Sequence, residues 1–207
     1  SAWELPEQAA AWCLRQAGLR PQDLDGVAYS YDPALVRPGQ AGLDGHWEEL
    51  RTRYARRAPH FLATALPGLD PAQVRFVPHH VAHAASACLA APYPESAVLV
   101  CDGRGEAASH LAGHHRGGEL TVLAAQELPS SLGLMYEELT EHLGFQRSSD
   151  EYKVMALAAY GEPRHLEAFR DLIRPTGDGG FHVEPIDWHA FAKPPTEEGR
   201  WTSEHAD

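Results

Sequence analysis

Two histidines and one aspartate have the side-chain types and the spacing of metal ligands. His79 and His83 are four residues apart in an alanine-rich stretch that favours a helix. This spacing places both imidazoles on one helix face, about 5 to 6 Å apart at Cβ. Asp102 follows an apolar run typical of a strand, so its carboxylate is expected in the crevice where open α/β sheets bind ligands. Two nitrogens and one oxygen with open positions suit Fe(II), Mn or Zn in a catalytic site.

Each of these residues also has a plainer interpretation. The chain contains 13 histidines, so a pair with this spacing is not by itself specific for a metal. Such histidines also occur as helix caps, as surface residues or in cores. Asp102 precedes Gly103, and an Asp-Gly pair by itself is more typical of a turn than of a ligand. Only the combination of the three residues favours a metal site.

Two further groups have features of nucleotide binding. Gly103 and Gly105 flank Arg104 and would let the backbone approach a phosphate closely, although a hairpin turn accounts for them equally well. Lys153 is one of two lysines in a chain rich in arginine, which indicates a need for a compact charge, for example toward a nucleotide phosphate. Ser149 and Asp150 precede the same predicted helix, and either would serve as its N-cap.

The elements that must position these residues alternate between helices and strands. Apolar periodicity and Gly/Pro punctuation predict helices over residues 3–17, 47–66, 79–91, 132–143, 151–160 and 165–173. They predict strands over residues 24–31, 74–77, 96–101, 109–111, 120–126 and 180–183. This order is typical of an α/β protein with strands flanked by helices.

Composition excludes several classes of partner. The formal net charge is −12 and no basic stripe is visible, so direct nucleic-acid binding is not expected. No apolar run approaches the length of about 20 residues that spans a bilayer, so no membrane partner is expected. The three cysteines lack short-spaced partners and predict a reducing, cytoplasmic environment. The sequence leaves a homo-oligomer open.

Four motifs in order resemble one enzyme family. They are His79–Ala87, Val98–Glu106, Ser131–Phe145 and Asp150–Pro163, and together they cover about residues 74–163. This series is similar to the O-carbamoyltransferases of natural-product biosynthesis, which include the nodulation, cephalosporin, aminoglycoside and ansamycin carbamoyltransferases.

The resemblance implies an actin-like, sugar-kinase-type ATPase fold, here partial, with mixed sheets flanked by helices. Residues 1–95 would be the remainder of a first actin-like subdomain and residues 96–207 the start of a second. The family's upstream hairpin and its downstream YrdC-like domain would lie outside this chain, which lacks an initiator Met. We therefore expect a fragment that is inactive alone.

The resemblance also implies a reaction and a set of site residues. A carbamoyl-adenylate, made from carbamoyl phosphate and ATP, would donate its carbamoyl group to a hydroxyl of a small molecule such as an antibiotic scaffold. His79, His83 and Asp102 correspond to the family's ligands for a divalent metal, with Fe(II) expected first and Zn or Mn as alternatives. Asp150 is a candidate catalytic helper. The competing interpretations are a tRNA threonylcarbamoyl-transferase-like protein and a non-catalytic nucleotide-binding module.

Overall fold

The computed structural model describes residues 5–37, 39 and 45–187. The helices in these ranges are α1 (Glu7–Ala17), α2 (Gly45–Ala65), α3 (His79–Cys88), α4 (Leu132–His142), α5 (Glu151–Ala158) and α6 (Leu166–Leu172). The strands are β1 (Val27–Tyr29), β2 (Val74–Phe76), β3 (Glu95–Cys101), β4 (Ala108–Arg116), β5 (Glu119–Glu127), β6 (Ile173–Pro175) and β7 (Phe181–Val183). The strands form one parallel pair, β1–β2, an antiparallel sheet of order β3–β4–β5, and an antiparallel pair, β6–β7.

The first hydrophobic cluster joins the parallel pair to the first two helices. Leu62 and Leu66, near the end of α2, are buried together with Leu69 and Val74. Leu14 of α1 packs against this group, which explains the amphipathic pattern of that helix. Helix α1 ends where predicted, because Gly18 adopts the left-handed conformation (φ 67°) that closes a helix.

The second hydrophobic cluster lies between α3 and the three-stranded sheet. Ala84 of α3 is fully buried against Val100 of β3 and Leu111 of β4. The small side chain of Ala84 lets the helix axis approach the sheet closely. Helix α3 therefore links the two clusters: it follows β2, which belongs to the first cluster, and it packs on the three-stranded sheet in the second cluster.

The predicted mixed α/β class is confirmed, and the helices agree with prediction to within a few residues. Strand β1 is shorter than predicted, with three residues instead of eight. Residue 173 was predicted to end a helix and instead begins β6, because Ile173 pairs with Val183. The start of the first predicted helix, residues 3 and 4, lies outside the described residues. The actin-like fold and the boundary at residue 95 stay predictions.

None of the described helices combines the length and the apolar character that crossing a bilayer requires.

Candidate metal centre

Helix α3 brings His79 and His83, two of its three histidines, together at its first turn. The helix starts at His79, directly after Pro78, whose fixed φ suits a helix entry. His79 and His83 lie one turn apart, and their Nε2 atoms are 3.1 Å from each other. The His79 ring is about one-fifth exposed and the His83 ring about half exposed, so the pair opens toward solvent on the His83 side.

Asp102 meets this pair from the carboxyl end of β3. Its Oδ2 atom lies 2.7 Å from His79 Nε2 and 3.7 Å from His83 Nε2. Its Oδ1 atom accepts the backbone N–H of Gly103 at 2.7 Å, which holds the carboxylate plane. The predicted convergence of the three side chains is therefore present in the structure.

A backbone carbonyl fixes the protonation pattern of His79. Its Nδ1 lies 3.1 Å from the carbonyl oxygen of Ser30, which can only accept, so Nδ1 carries the proton. In the neutral ring, Nε2 then has a lone pair, and that lone pair faces both the Asp102 carboxylate and His83 Nε2. Such an arrangement is stable only with a second proton on His79 or with a cation among the three atoms. A carbonyl on the far nitrogen is the usual support of a metal-binding histidine.

The donor set fits a divalent cation. Ligand atoms held at about 2.0 to 2.2 Å from one ion lie about 2.8 to 3.6 Å from each other in adjacent octahedral or in tetrahedral positions. Of the three separations here, 3.1 Å lies inside this range, and 2.7 and 3.7 Å lie just outside its two limits. Two imidazoles and one carboxylate leave further positions open, as in catalytic rather than structural sites.

The protonation equilibria of the cluster reflect the same geometry. The hydrogen bond with Asp102 raises the pKa of His79 above its ordinary value, although burial acts in the opposite direction. Burial alone would raise the pKa of Asp102. Hydrogen bonding with His79 and His80 and from the Gly103 N–H outweighs burial and holds that pKa well below the usual range. Asp102 therefore keeps its negative charge at neutral pH.

The first turn of α4 supports the loop that follows Asp102. Ser131 is buried, accepts the N–H of Leu134 as the helix N-cap, and donates its own hydroxyl proton to the Gly103 carbonyl at 2.6 Å. Gly133 lies so close that a Cβ there would be 2.5 Å from Gly103 Cα. The close approach explains the glycine, and it fixes the backbone next to Asp102.

A cleft of about 1800 Å³ extends from the cluster. His79, Asp102, Gly103 and His110 contribute to its wall, together with aromatic side chains and arginines, among them Tyr31, Trp47, Tyr54, Tyr136, Arg51 and Arg147. The guanidinium of Arg51 stands 4.6 Å from the centre of the Tyr31 ring, within the range of a cation–π contact. A cavity of this size and lining can hold more than one small-molecule group.

Residues 53–192 match the family model described as the carbamoyltransferase N-terminus. The chain belongs to this family. All of the predicted ligands lie within the span that matches the carbamoyltransferase model, whereas Ser30 and Arg51 lie before it.

The similarity to curated relatives extends further toward the start of the chain than the match to the family model does. Nodulation protein NolNO of Sinorhizobium fredii is 33% identical over 190 residues, which are 87% of this chain and 27% of that protein. An uncharacterised protein of Synechocystis is 32% identical over 86% of this chain and 32% of its own length. Nodulation protein NolO of Bradyrhizobium diazoefficiens is 38% identical over 51% of this chain and 19% of its own length. The chain thus spans about a third or less of these relatives.

Gly103 and Gly105 of this carbamoyltransferase segment lie beside the cluster. The N–H of Gly103 is donated to Asp102 Oδ1, and the N–H of Gly105 to the carbonyl of Ala108 at 2.8 Å. At Gly105 a Cβ would lie 3.3 Å from the Cβ of His79, so this part of the loop packs tightly against the start of α3. Phosphate binding by the two glycines stays a prediction.

Asp150 and Lys153 form a pair with each other. Lys153 Nζ lies 2.8 Å from Asp150 Oδ1, and Asp150 also accepts the N–H of Gln146 at 3.2 Å. Asp150 stands at the N-cap position of α5, but its carboxylate makes no capping bond to that helix. No described contact joins the pair to His79, His83 or Asp102. The catalytic and nucleotide-binding roles assigned to them stay predictions.

Three residues of the site were missed at the sequence level. His80 is buried with Nε2 3.6 Å from Asp102 Oδ2, and one ligand atom each from His79, His80 and Asp102 lie within 4.8 Å of one another. His110 is buried in the cleft wall. The Glu106 carboxylate accepts the backbone N–H of His79. His80 could have been included because it is adjacent to His79 in the sequence. The positions of His110 and Glu106 depend on strand register and loop conformation, which the sequence does not reveal.

Proposed function

We propose that this chain carries the transfer site of an O-carbamoyltransferase. In this reaction the oxygen of an acceptor hydroxyl forms a bond to the carbamoyl carbon of carbamoyl-adenylate, and the bond from that carbon to the phosphate oxygen of AMP breaks. The donor is made from carbamoyl phosphate and ATP. The observation that carries the proposal is the meeting of His79, His83 and Asp102, from two separate motifs, inside a segment that belongs to the carbamoyltransferase family.

In the proposed site His79, His83 and Asp102 would hold a divalent cation, with Fe(II) first and Zn or Mn as alternatives. When bound, such an ion acts as a Lewis acid that stabilises the negative charge that develops on the oxygens during acyl transfer. The chain itself contributes orientation, because Ser30 holds the far nitrogen of His79 and the Gly103 N–H holds Asp102. Supporting contacts of this kind set the direction of each ligand lone pair.

The cleft supports a donor of nucleotide size together with a small acceptor. Its volume of about 1800 Å³ exceeds the range of about 300 to 1,000 Å³ that single small ligands usually occupy. Trp47 and Tyr54 give it aromatic surface against which a base or a ring can stack. Arg51 stands in the same wall without a carboxylate partner among the described residues, and it can interact with a phosphate.

His110 has the protonation state required to take the proton of the acceptor hydroxyl. Ser109 Oγ donates its only proton to the Ser130 carbonyl at 2.7 Å, so the 2.8 Å contact between Ser109 Oγ and His110 Nδ1 makes Nδ1 the donor. Burial lowers the pKa of His110. The ring is therefore neutral at pH 7, and its Nε2 has a free lone pair for a proton. Asp150 stays the alternative helper.

The test combines metal analysis with a transfer assay on the complete protein that contains this chain. Wild type is incubated with ATP, carbamoyl phosphate and a panel of hydroxylated small molecules, and carbamoylated product is measured by mass spectrometry. We expect bound metal and product for wild type, and loss of both for His79→Ala and Asp102→Asn. His114→Ala serves as control because its ring contacts Glu95 at the start of β3, the opposite end of that strand from Asp102.

Two results would contradict the proposal. The first is nucleotide binding without transfer to any acceptor and without bound metal, which indicates a binding module. The second is transfer that continues unchanged in both ligand variants. Modification of tRNA, instead of a small hydroxylated acceptor, would identify the threonylcarbamoyl-type alternative.

A further inference from the structure

We propose that Glu106 is a positioning residue of the metal centre, which acts through the backbone of His79 and touches no reacting atom. The inference rests on the proposed function, because it assigns a role toward the same metal. Its basis is a buried carboxylate that no part of the proposed chemistry uses.

The Glu106 carboxylate joins three segments of the chain. Its Oε1 accepts the N–H of Asp32 at 2.7 Å and the N–H of His79 at 2.9 Å, and its Oε2 lies 3.2 Å from the same His79 nitrogen. Glu106 is only 6% exposed. One side chain thus connects the residues after β1, the first residue of α3 and the loop after β3. These segments carry Ser30, His79 and Asp102 respectively.

The contact with His79 replaces a missing helix cap. Residue 78 is a proline and gives α3 no side-chain cap, so the N–H of His79 would otherwise lack an acceptor at the start of a ten-residue helix. A negative charge at this point is also favoured by the helix dipole. The carboxylate therefore stabilises the helix start at one position relative to the loop.

The loop and the helix start are in van der Waals contact as well. A Cβ at Gly105 would lie 3.1 Å from His80 Cε1 and 3.3 Å from His79 Cβ. The path from Asp102 to Glu106 therefore lies directly against the first turn of α3. Together with the bonds of Glu106, this packing fixes the distance between the His79 ring and the Asp102 carboxylate.

The experiment uses Glu106→Gln and Glu106→Asp in the complete protein, with Glu119→Gln as a matched control at the exposed β4–β5 turn. Gln keeps the length but loses the charge, and Asp keeps the charge but shortens the reach. Proteins are stripped with a chelator and titrated with Co(II), and the visible spectrum reports the ligand geometry. We expect Glu106→Gln to lose about 10- to 100-fold in Co(II) affinity, with an altered spectrum and partial recovery in Glu106→Asp. Glu119→Gln should match wild type.

The outcomes separate this inference from the proposed function. If wild type binds no Co(II), the metal site itself is refuted. If wild type binds and the folded Glu106 variants bind with equal affinity and an identical spectrum, Glu106 has no positioning role. Lower thermal stability of the metal-free variants, with unchanged Co(II) affinity, would also overturn the inference, because it would show a role in folding alone. Should Glu106→Gln fail to fold, the spectrum and affinity of Glu106→Asp decide between these results.

Discussion

Replacement of Gly133 by alanine has two effects on the free energy of unfolding, and they are opposite in sign. Gly133 is the second residue of α4, and in a helix alanine is favoured over glycine by up to about 1 kcal/mol. Secondary structure alone therefore predicts that Gly133→Ala stabilises the protein. The tertiary structure predicts the reverse, because the new methyl group would point at the backbone that follows Asp102.

The distances decide which effect is larger. The added Cβ would lie 2.5 Å from Gly103 Cα, 2.7 Å from Gly103 N and 3.1 Å from the carbonyl carbon of Asp102, and real Cβ contacts below 3.0 Å essentially do not occur. All three atoms belong to the main chain, so α4 or the loop must move by at least about half an ångström. Overpacking of this kind costs about 1 to 3 kcal/mol. We expect a net loss of about 1 to 2 kcal/mol in the free energy of unfolding.

The loss is measurable as a shift in thermal unfolding. For a protein of this size 1 kcal/mol corresponds to about 2 to 4 °C, so the Tm of Gly133→Ala should fall by about 2 to 8 °C. Metal affinity should fall as well, since the displaced backbone carries Asp102. Gly161→Ala is the control, because its nearest neighbour would be the Ala158 carbonyl at an ordinary 3.8 Å. A Tm equal to or above that of wild type would refute the packing argument.

Two further predictions concern protonation. In metal-free protein the raised pKa of His79 stabilises the folded state fully below about pH 6.5, and this stabilisation is lost as the pH rises through the folded-state pKa. The lowered pKa of Asp102 stabilises the folded state at higher pH, and this stabilisation is lost as the pH falls below about 4. The Tm difference between wild type and Asp102→Asn in chelator should therefore be largest between these limits, and a difference independent of pH would contradict the pairing. For the transfer reaction, His110→Gln should lower kcat by about 10²- to 10⁴-fold while metal content stays unchanged, and full activity would assign the proton to another group such as Asp150.

Helix positions and the meeting of His79, His83 and Asp102 were accessible from the sequence because both depend on local spacing, whereas metal binding by the three residues stays a prediction. The four-residue interval of His79 and His83 determines their common face whatever the surrounding fold. The position of Asp102 depended on one further prediction, that the apolar run before it is a strand. This strand is present as β3, which ends at Cys101. Gly18 likewise ends α1 through its own backbone preference.

The supporting contacts were not accessible because they join positions that are distant along the chain. Glu106 accepts from Asp32, 74 residues away, and Ser30 reaches His79 across 49 residues. In each contact one partner is a backbone group, which every residue type offers, so no side-chain pattern reveals the contact. His110 enters the cleft through its register with Cys101, and register depends on the whole sheet. Short strands such as β6 depend on their partner in the same way.

The parallel pair of β1 and β2 has only three residue pairs, Val27–Val74, Ala28–Arg75 and Tyr29–Phe76. Ser30 follows this short ladder directly, so the carbonyl that fixes the His79 ring is attached to one of the least extensive strand pairings among the described residues. Brief separation of β1 from β2 would allow the His79 ring to rotate. Binding of the proposed cation by the histidine cluster should therefore slow amide hydrogen exchange in β1, although none of the proposed ligands belongs to that strand.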